Sequence, residues 1–270
     1  MVVTSSQNPE VKLYRSLLRK RGRDKKGLIP LEGIRLIEEA AWKQVRLHSI
    51  IYSEDLLKNK RGRALLEDIQ NNQPLAKVLN VSRNILKEAS DTENPQGIVA
   101  SAVPPESSLS QLALKKRPLT IVAAGIQDPG NLGTIIRTAS AASAAGVVVT
   151  RGTVDIHNPK TLRATMGAIF NLPVVLIKNV ESLINYFRQG NIRLAVTDLE
   201  GEANCFQVDL TVPTAVFFGS EAFGLDKEIL KAADYRLKIP LLGPAESLNV
   251  AVAAGIIMYE GVRQKHFSFK

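Results

Sequence analysis

The chain has 270 residues, enough for two domains that each bury a core, and its one cysteine and three histidines exclude an internal disulfide and a spaced zinc cluster. Lys and Arg number 35 against 26 Asp and Glu, a formal charge of +9, so acidic partners are favoured and nucleic acid comes first among them. No apolar run approaches the ~20 residues that span a bilayer, and the N-terminus lacks the order of a secretory signal, which predicts a cytoplasmic chain with no membrane partner.

In chain order, the first elements are a basic helix near 9–21, a short strand in LIPLEG, a helix in IRLIEEAAWKQ and a strand in SIIYS, which predict a small α/β domain over residues 1–103. Paired prolines, a serine cluster and a basic triplet in the stretch 98–118 mark a linker, placed at 104–118. Beyond it, strand patterns recur at 119–125, 146–150, 172–177, 192–198, 214–219 and 235–240, mostly separated by helix patterns. Their apolarity is continuous rather than alternating, so both faces are covered. The 119–270 half is therefore expected to be an open, mainly parallel α/β sheet with helices on both sides.

Such sheets bind ligands beyond the carboxyl ends of their strands. No G-x-G-x-x-G occurs, and GSEAFGLD at 219–226 has Leu225 and Asp226 where a phosphate-binding P-loop needs Lys and Ser or Thr. Three strands instead run into loops rich in Gly, Pro and small polar residues: AAGIQDPGNLGTIIR, FFGSEAFGLD and IPLLGPAESLNV. In the first, Asn131 stands where a helix cap is expected. Arg137, among Ile135, Ile136, Thr138 and Ala139, needs either a carboxylate partner or a cleft in which its charge is used. In the second, Gly219 and Gly224 permit close approach of a backbone, and Glu221 is a carboxylate at the strand end or a helix-dipole partner. In the third, Ser247 can cap a helix starting at Leu248, and Asn249 is a polar residue in the first turn of that helix. The helix LNVAVAAGIIMY is apolar nearly all round, which calls for burial in a core or against a second subunit.

Taken together, NLGTIIR, FGSEAFGL and IPLLGPAESLNV resemble the three ordered motifs of the SpoU, or TrmH, family of RNA ribose 2′-O-methyltransferases in the SPOUT superfamily. SSQNPEVK, the basic helix after it and IPLEGIRLIEEA resemble the L30e-like substrate-binding domain that precedes the catalytic domain in many members. The resemblance implies a deep trefoil knot in the C-terminal domain and a homodimer. It implies bound S-adenosylmethionine with Thr197, Gly219, Ile239, Leu241 and Leu248 as its contacts; no metal is expected, because the cysteine and histidines form no spaced cluster. It also implies a catalytic group of Arg137, Asn131, Glu221, Ser247 and Asn249. Within that group Arg137 is the residue to which the family assigns the proton of the 2′-hydroxyl. An arginine normally stays protonated in proteins, so the narrower expectation is that it stabilises the negative charge developing on the 2′-oxygen beside a phosphate.

For RNA contact, Lys20, Arg21 and Arg23 in the basic run are expected to track phosphates, and Arg163, in a stretch that resembles R-A-S-M-G-A segments of the family, to lie near the RNA groove. The alternative for both is a solvated helix face. The expected substrate is ribosomal RNA of the 23S type, ahead of transfer RNA. A non-catalytic RNA-binding or assembly protein on the same fold, and self-protection against a ribosome-targeting antibiotic, are the competing readings.

Overall fold

A computed structural model describes residues 2–267 except 113, 115–117, 221 and 222. The molecule falls into two compact units, Met1–Glu106 with Asp155–Asn171, and Ser107–Val154 with Leu172–Lys270. The first unit therefore takes its second piece from within the 119–270 half, an arrangement that a contiguous reading of linkers and periodicity does not reveal.

The first unit opens with helices α1 (Pro9–Leu17) and α2 (Lys20–Lys26), followed by β1 (Ile29–Glu32), α3 (Ile34–Trp42), β2 (Leu47–Tyr52), α4 (Glu54–Lys58), α5 (Lys60–Asn72), β3 (Lys77–Asn80), α6 (Arg83–Ala89) and β4 (Ile98–Ala102). Its sheet has the order β1-β4-β2-β3, antiparallel except for the β2–β3 pair. Pro30 is tolerated because β1 is an edge strand. Val11, Tyr14, Ile51 and Val99 anchor the core. The single basic helix expected near 9–21 is two helices, and Gly22 is where they meet: a Cβ there would lie 1.9 Å from the Ser16 carbonyl oxygen.

The second unit begins with β5 (Leu119–Ala123), α7 (Pro129–Ala141) and β6 (Gly146–Thr150). The chain then forms α8 (Pro159–Thr165) in the first unit, and returns as β7 (Val174–Ile177), α9 (Val180–Gln189), β8 (Arg193–Thr197), β9 (Ala203–Asn204), β10 (Thr214–Phe218), α10 (Lys227–Ala232), β11 (Tyr235–Lys238) and α11 (Val250–His266). The seven strands run in the order β7-β6-β5-β10-β8-β11-β9, every pair parallel. All six expected strands are present. The two-residue β9 is too short to leave a periodic signal. Strands β5, β6 and β10 are buried along their whole length, as the unbroken apolar runs require. Phe187 of α9 packs edge-on against Phe217 of β10, ring centroids 6.4 Å apart.

Two arginines expected at an RNA surface are engaged within the first unit. Arg23 is buried: its guanidinium donates to the Leu17 and Leu18 carbonyls at the end of α1, at 2.8 and 3.2 Å, and to Asp155 at 2.6 Å. Arg163 of α8 bridges Glu32, 3.3 Å away, and Asp91, 2.7 Å away. Glu32 is also held by the Asp91 amide and the Thr92 hydroxyl. The reason for both corrections is desolvation. A buried Glu32 or a half-buried Asp155 needs a cationic partner, and the arginine nearest in space supplies it. Burial alone would raise the Asp155 carboxyl, but its bonds from Arg23 and the His157 amide leave it lowered. Lys20 and Arg21, by contrast, are exposed.

Because Glu32 is almost wholly buried, Arg163→Ala leaves a carboxylate without its countercharge. We expect a loss of about 2 kcal/mol in urea unfolding, less than for a fully buried pair because a quarter of the Arg163 side chain meets solvent. An unchanged midpoint would mean the pair contributes nothing net.

Candidate active site

The strand order reverses at the centre of the second unit. From β5 the chain steps outward to β6 and β7, then crosses to β8, and β10 fills the gap between β5 and β8. Open parallel sheets form their ligand crevice at such a switch point, outside the carboxyl ends of the strands. A cleft of about 570 Å³ lies there, walled by the ends of β8, β10 and β11 and by the start of α11.

Thr197, Gly219, Ile239, Leu241, Leu248 and Ser247 all line this cleft. Gly219 packs against its own loop: a Cβ would lie 2.6 Å from both the carbonyl carbon and oxygen of Gly224. Ser220 and Gly224 exchange backbone hydrogen bonds of 3.0 and 2.8 Å, and Gly224 takes φ 67, a left-handed conformation natural to glycine. Ser220 and Gly224 are thus held to each other beside the cleft. Glu221 lies outside the described residues. The Thr197 hydroxyl donates to the Phe217 carbonyl at 3.1 Å, tying β8 to β10, so its contribution to the cleft comes mainly from its position.

Sequence reasoning missed Asp198, Glu200 and Phe223, which also line the cleft. Asp198 receives the Arg236 guanidinium and the Glu200 amide, and the arginine first of all holds its carboxyl below its ordinary value. Phe223 is 85% exposed, an apolar ring at the mouth of the cleft. The signal for Asp198 was available, since it directly follows a parallel strand at its carboxyl end. Phe223 left no such signal.

The two asparagines are brought together. Asn249 is the N-cap of α11, its side-chain oxygen accepting from the Ala251 and Val252 amides at 2.9 and 3.3 Å. Its amide nitrogen donates to the side-chain oxygen of Asn131 at 3.0 Å. The helix therefore starts at Val250, not Leu248, and Asn249 rather than Ser247 is its cap. Similarly, Asp128 caps α7 by accepting from the Asn131 amide at 2.7 Å, and Pro129 opens the helix, so Asn131 is free of the capping role expected for it.

Arg137 departs from expectation. Leu132, Ile135, Ile136 and Ala139 turn inward, while Thr134, Arg137 and Ala141 occupy the exposed side of α7. A helix of 3.6 residues per turn segregates those positions, which a reading of near neighbours in sequence does not register. Arg137 has neither a hydrogen bond nor an ion pair with any described residue, so the buried carboxylate partner considered for it is absent. Its cation stands on the same helix as Asn131.

An adenosine-bearing sulfonium fits this donor set. Phe218, Leu237, Ile239 and Leu248 supply an apolar wall, Gly219 lines the cleft with its backbone, and Asp198 and Glu200 supply negative charge for a cationic ligand. Gly219→Ala should abolish measurable S-adenosylmethionine binding in calorimetry. Retained affinity would show that the ligand does not use this position. Asn249→Ala removes a cap and the link to Asn131, and should lower stability by about 1 kcal/mol in thermal unfolding.

The model of the SpoU rRNA Methylase family matches residues 118–259, and that of the MRM3-like substrate binding domain matches residues 8–100. The chain is 35% identical over 257 residues to the 23S rRNA (guanosine(2553)-2'-O)-methyltransferase RlmP of Bacillus subtilis, covering 95% of this chain and 97% of that one. Among solved structures, it resembles the SpoU methyltransferase AviRb from Streptomyces viridochromogenes in complex with AdoMet, at 28% identity and a TM-score of 0.86, covering 96% of this chain and 99% of that one. It also resembles the AdoMet-bound rRNA methyltransferase from Sinorhizobium meliloti, at 30% identity and a TM-score of 0.84 over 99% of both chains. With three loops, one cleft and the full span of these relatives in agreement, the chain belongs to the SpoU rRNA methylase family.

Proposed function

We propose that this protein methylates a ribose 2′-hydroxyl in 23S-type ribosomal RNA, with S-adenosylmethionine held in the cleft after β8, β10 and β11. The observation that carries the reading is the conjunction of the cleft at the strand ends with an exposed arginine, in no ion pair with a described residue, on the helix that also bears Asn131. The cofactor supplies an electrophilic methyl group on a sulfonium. The chain has to bind it, bring the ribose oxygen in line and stabilise the charge that develops there.

Gly219, Ile239, Leu241, Leu248 and Thr197 form the binding surface. Arg137, exposed and in no ion pair with a described residue, meets the 2′-oxygen and the adjacent phosphate. Six residues of helix separate it from Asn131, a rise of roughly 9 Å, and a long helical side chain leans back toward the N-terminus, which brings the guanidinium toward the loop. The Asn131–Asn249 bond holds the starts of α7 and α11 together, so that the arginine and the cleft keep a fixed relation. Ser247 shapes the mouth, and Glu221 is assigned to the same group by its motif alone. Lys20 and Arg21 contact RNA phosphates, where their exposure gives affinity without sequence discrimination.

Three further features belong to this reading. The placement of β10 between β5 and β8, and the return of α11 against α7, support a knotted C-terminal chain. On α11, Val252 and Tyr259 are each 52% exposed, an apolar face that a second copy would cover in a homodimer. Cys205 is buried, and burial pushes its thiol up, as suits a structural cysteine in the reducing cytoplasm.

The test is transfer of labelled methyl from S-adenosylmethionine to 23S rRNA from a strain lacking the gene, mapped by alkali-resistant linkage. Label is expected at one ribose. Arg137→Ala should reduce kcat by roughly a hundredfold or more with cofactor affinity unchanged, since Arg137 is not among the residues that line the cleft. Full turnover in that variant would remove Arg137 from the mechanism.

A further inference from the structure

In the first unit, the end of α3, the start of β2 and the turn between α5 and β3 enclose a second cavity, of about 770 Å³. Trp42, the sole tryptophan of the chain, stands at its edge 63% exposed, and Leu75 at another edge is 94% exposed. Both large apolar side chains stand mostly in solvent, and their positions are fixed by well-formed local structure. Gln44 adopts φ 55, and backbone bonds from Gln44 to Ala41 and from Val45 to Ala40, both 2.9 Å, close the turn after Trp42. A second turn, with the Ala76 amide bonded to the Gln73 carbonyl at 2.9 Å, carries Leu75. The Gln73 side chain then joins the two turns, donating to the Val45 carbonyl at 3.1 Å and accepting from the Leu47 amide at 2.9 Å.

The surroundings identify the occupant. Lys43 and Arg46 are exposed and make no ion pair with any described residue. Asp68 is the one carboxylate lining the cavity, and the Asn72 amide already donates to it at 2.7 Å. His48 also lines the cavity and lies 3.5 Å from Glu10. A flat indole face, side-chain amides from Gln44 and Asn72, and unpaired cations beside them are the three contacts an unstacked nucleotide requires: a surface for the base, partners for its edge and charge for its phosphate. A protein partner would call for a continuous apolar face, of the kind α11 displays, and here only two apolar groups project. We infer that Trp42, with Leu75 and Arg46, forms a docking site for an unpaired base of the RNA substrate, remote in sequence from the basic run of α2. This rests on the reading of the substrate as RNA.

The experiment uses the full chain. Hexaadenylate should quench the emission of Trp42 saturably, with no other tryptophan to confuse the signal. With transcribed 23S rRNA, Trp42→Ala should raise KM about tenfold and leave kcat unchanged, whereas Trp42→Phe should recover most of the affinity because it keeps an aromatic face. Arg46→Gln should reduce the salt slope of RNA binding by about one. Normal methylation with an unaltered KM in Trp42→Ala overturns the site while leaving the proposed activity intact. Quenching by hexaadenylate in a protein that methylates no ribosomal RNA upholds the site and removes the activity. Self-association that depends on Trp42 without RNA assigns the surface to a second copy and overturns the inference.

Discussion

The amide of Asn249 serves two helices at once, and the geometry of the candidate active site depends on it. Its oxygen satisfies the first free amides of α11, and its nitrogen holds Asn131 near the start of α7. A capping side chain with a spare donor is a short, rigid connector, because the cap already fixes its rotamer. Serine or aspartate would cap equally well. Neither offers an amide N–H for the second bond, which gives a physical reason for asparagine at this position. The segment that walls the cleft at Ile239, Leu241, Ser247 and Leu248 runs directly into Asn249, so this contact ties that wall to the helix that bears the arginine.

Charge is divided between structural and surface uses in a way that a count of basic residues conceals. Arg23 and Arg163 neutralise carboxylates in the first unit, and Arg236 holds Asp198 at the cleft. Lys20, Arg21, Lys43, Arg46 and Arg137 are exposed, and none is in an ion pair with a described residue. They are a few of many exposed cations, Lys12, Arg15, Lys25, Lys60 and Lys160 among the others, so the net charge of +9 describes the class of partner and says little about where it binds.

The apolar surface is divided similarly. The α11 helix is apolar on most sides, yet only one side faces its own unit, with Ala254, Ile257 and Met258 fully covered and Val252 and Tyr259 outside. An all-round apolar helix demands cover all round, and the single chain supplies part of it. Trp42 and Leu75 differ in kind, being isolated groups beside cations instead of a continuous face.

By itself, the sequence determined the parallel sheet, its six main strands and the three loops at their carboxyl ends, because unbroken apolar runs and Gly-rich breaks are local signals read within a few residues. The family resemblance of the motifs also marked Thr197, Gly219, Ile239, Leu241, Ser247 and Leu248, which line the cleft, and left Asp198, Glu200 and Phe223 unmarked. Tertiary structure alone decided which arginines are free, that 155–171 belongs with the first unit, and that Asn249 caps α11 while binding Asn131. Those outcomes turn on which carboxylate or amide lies nearest in space across more than a hundred residues of chain, and desolvation enforces each pairing only once the fold has brought the groups together.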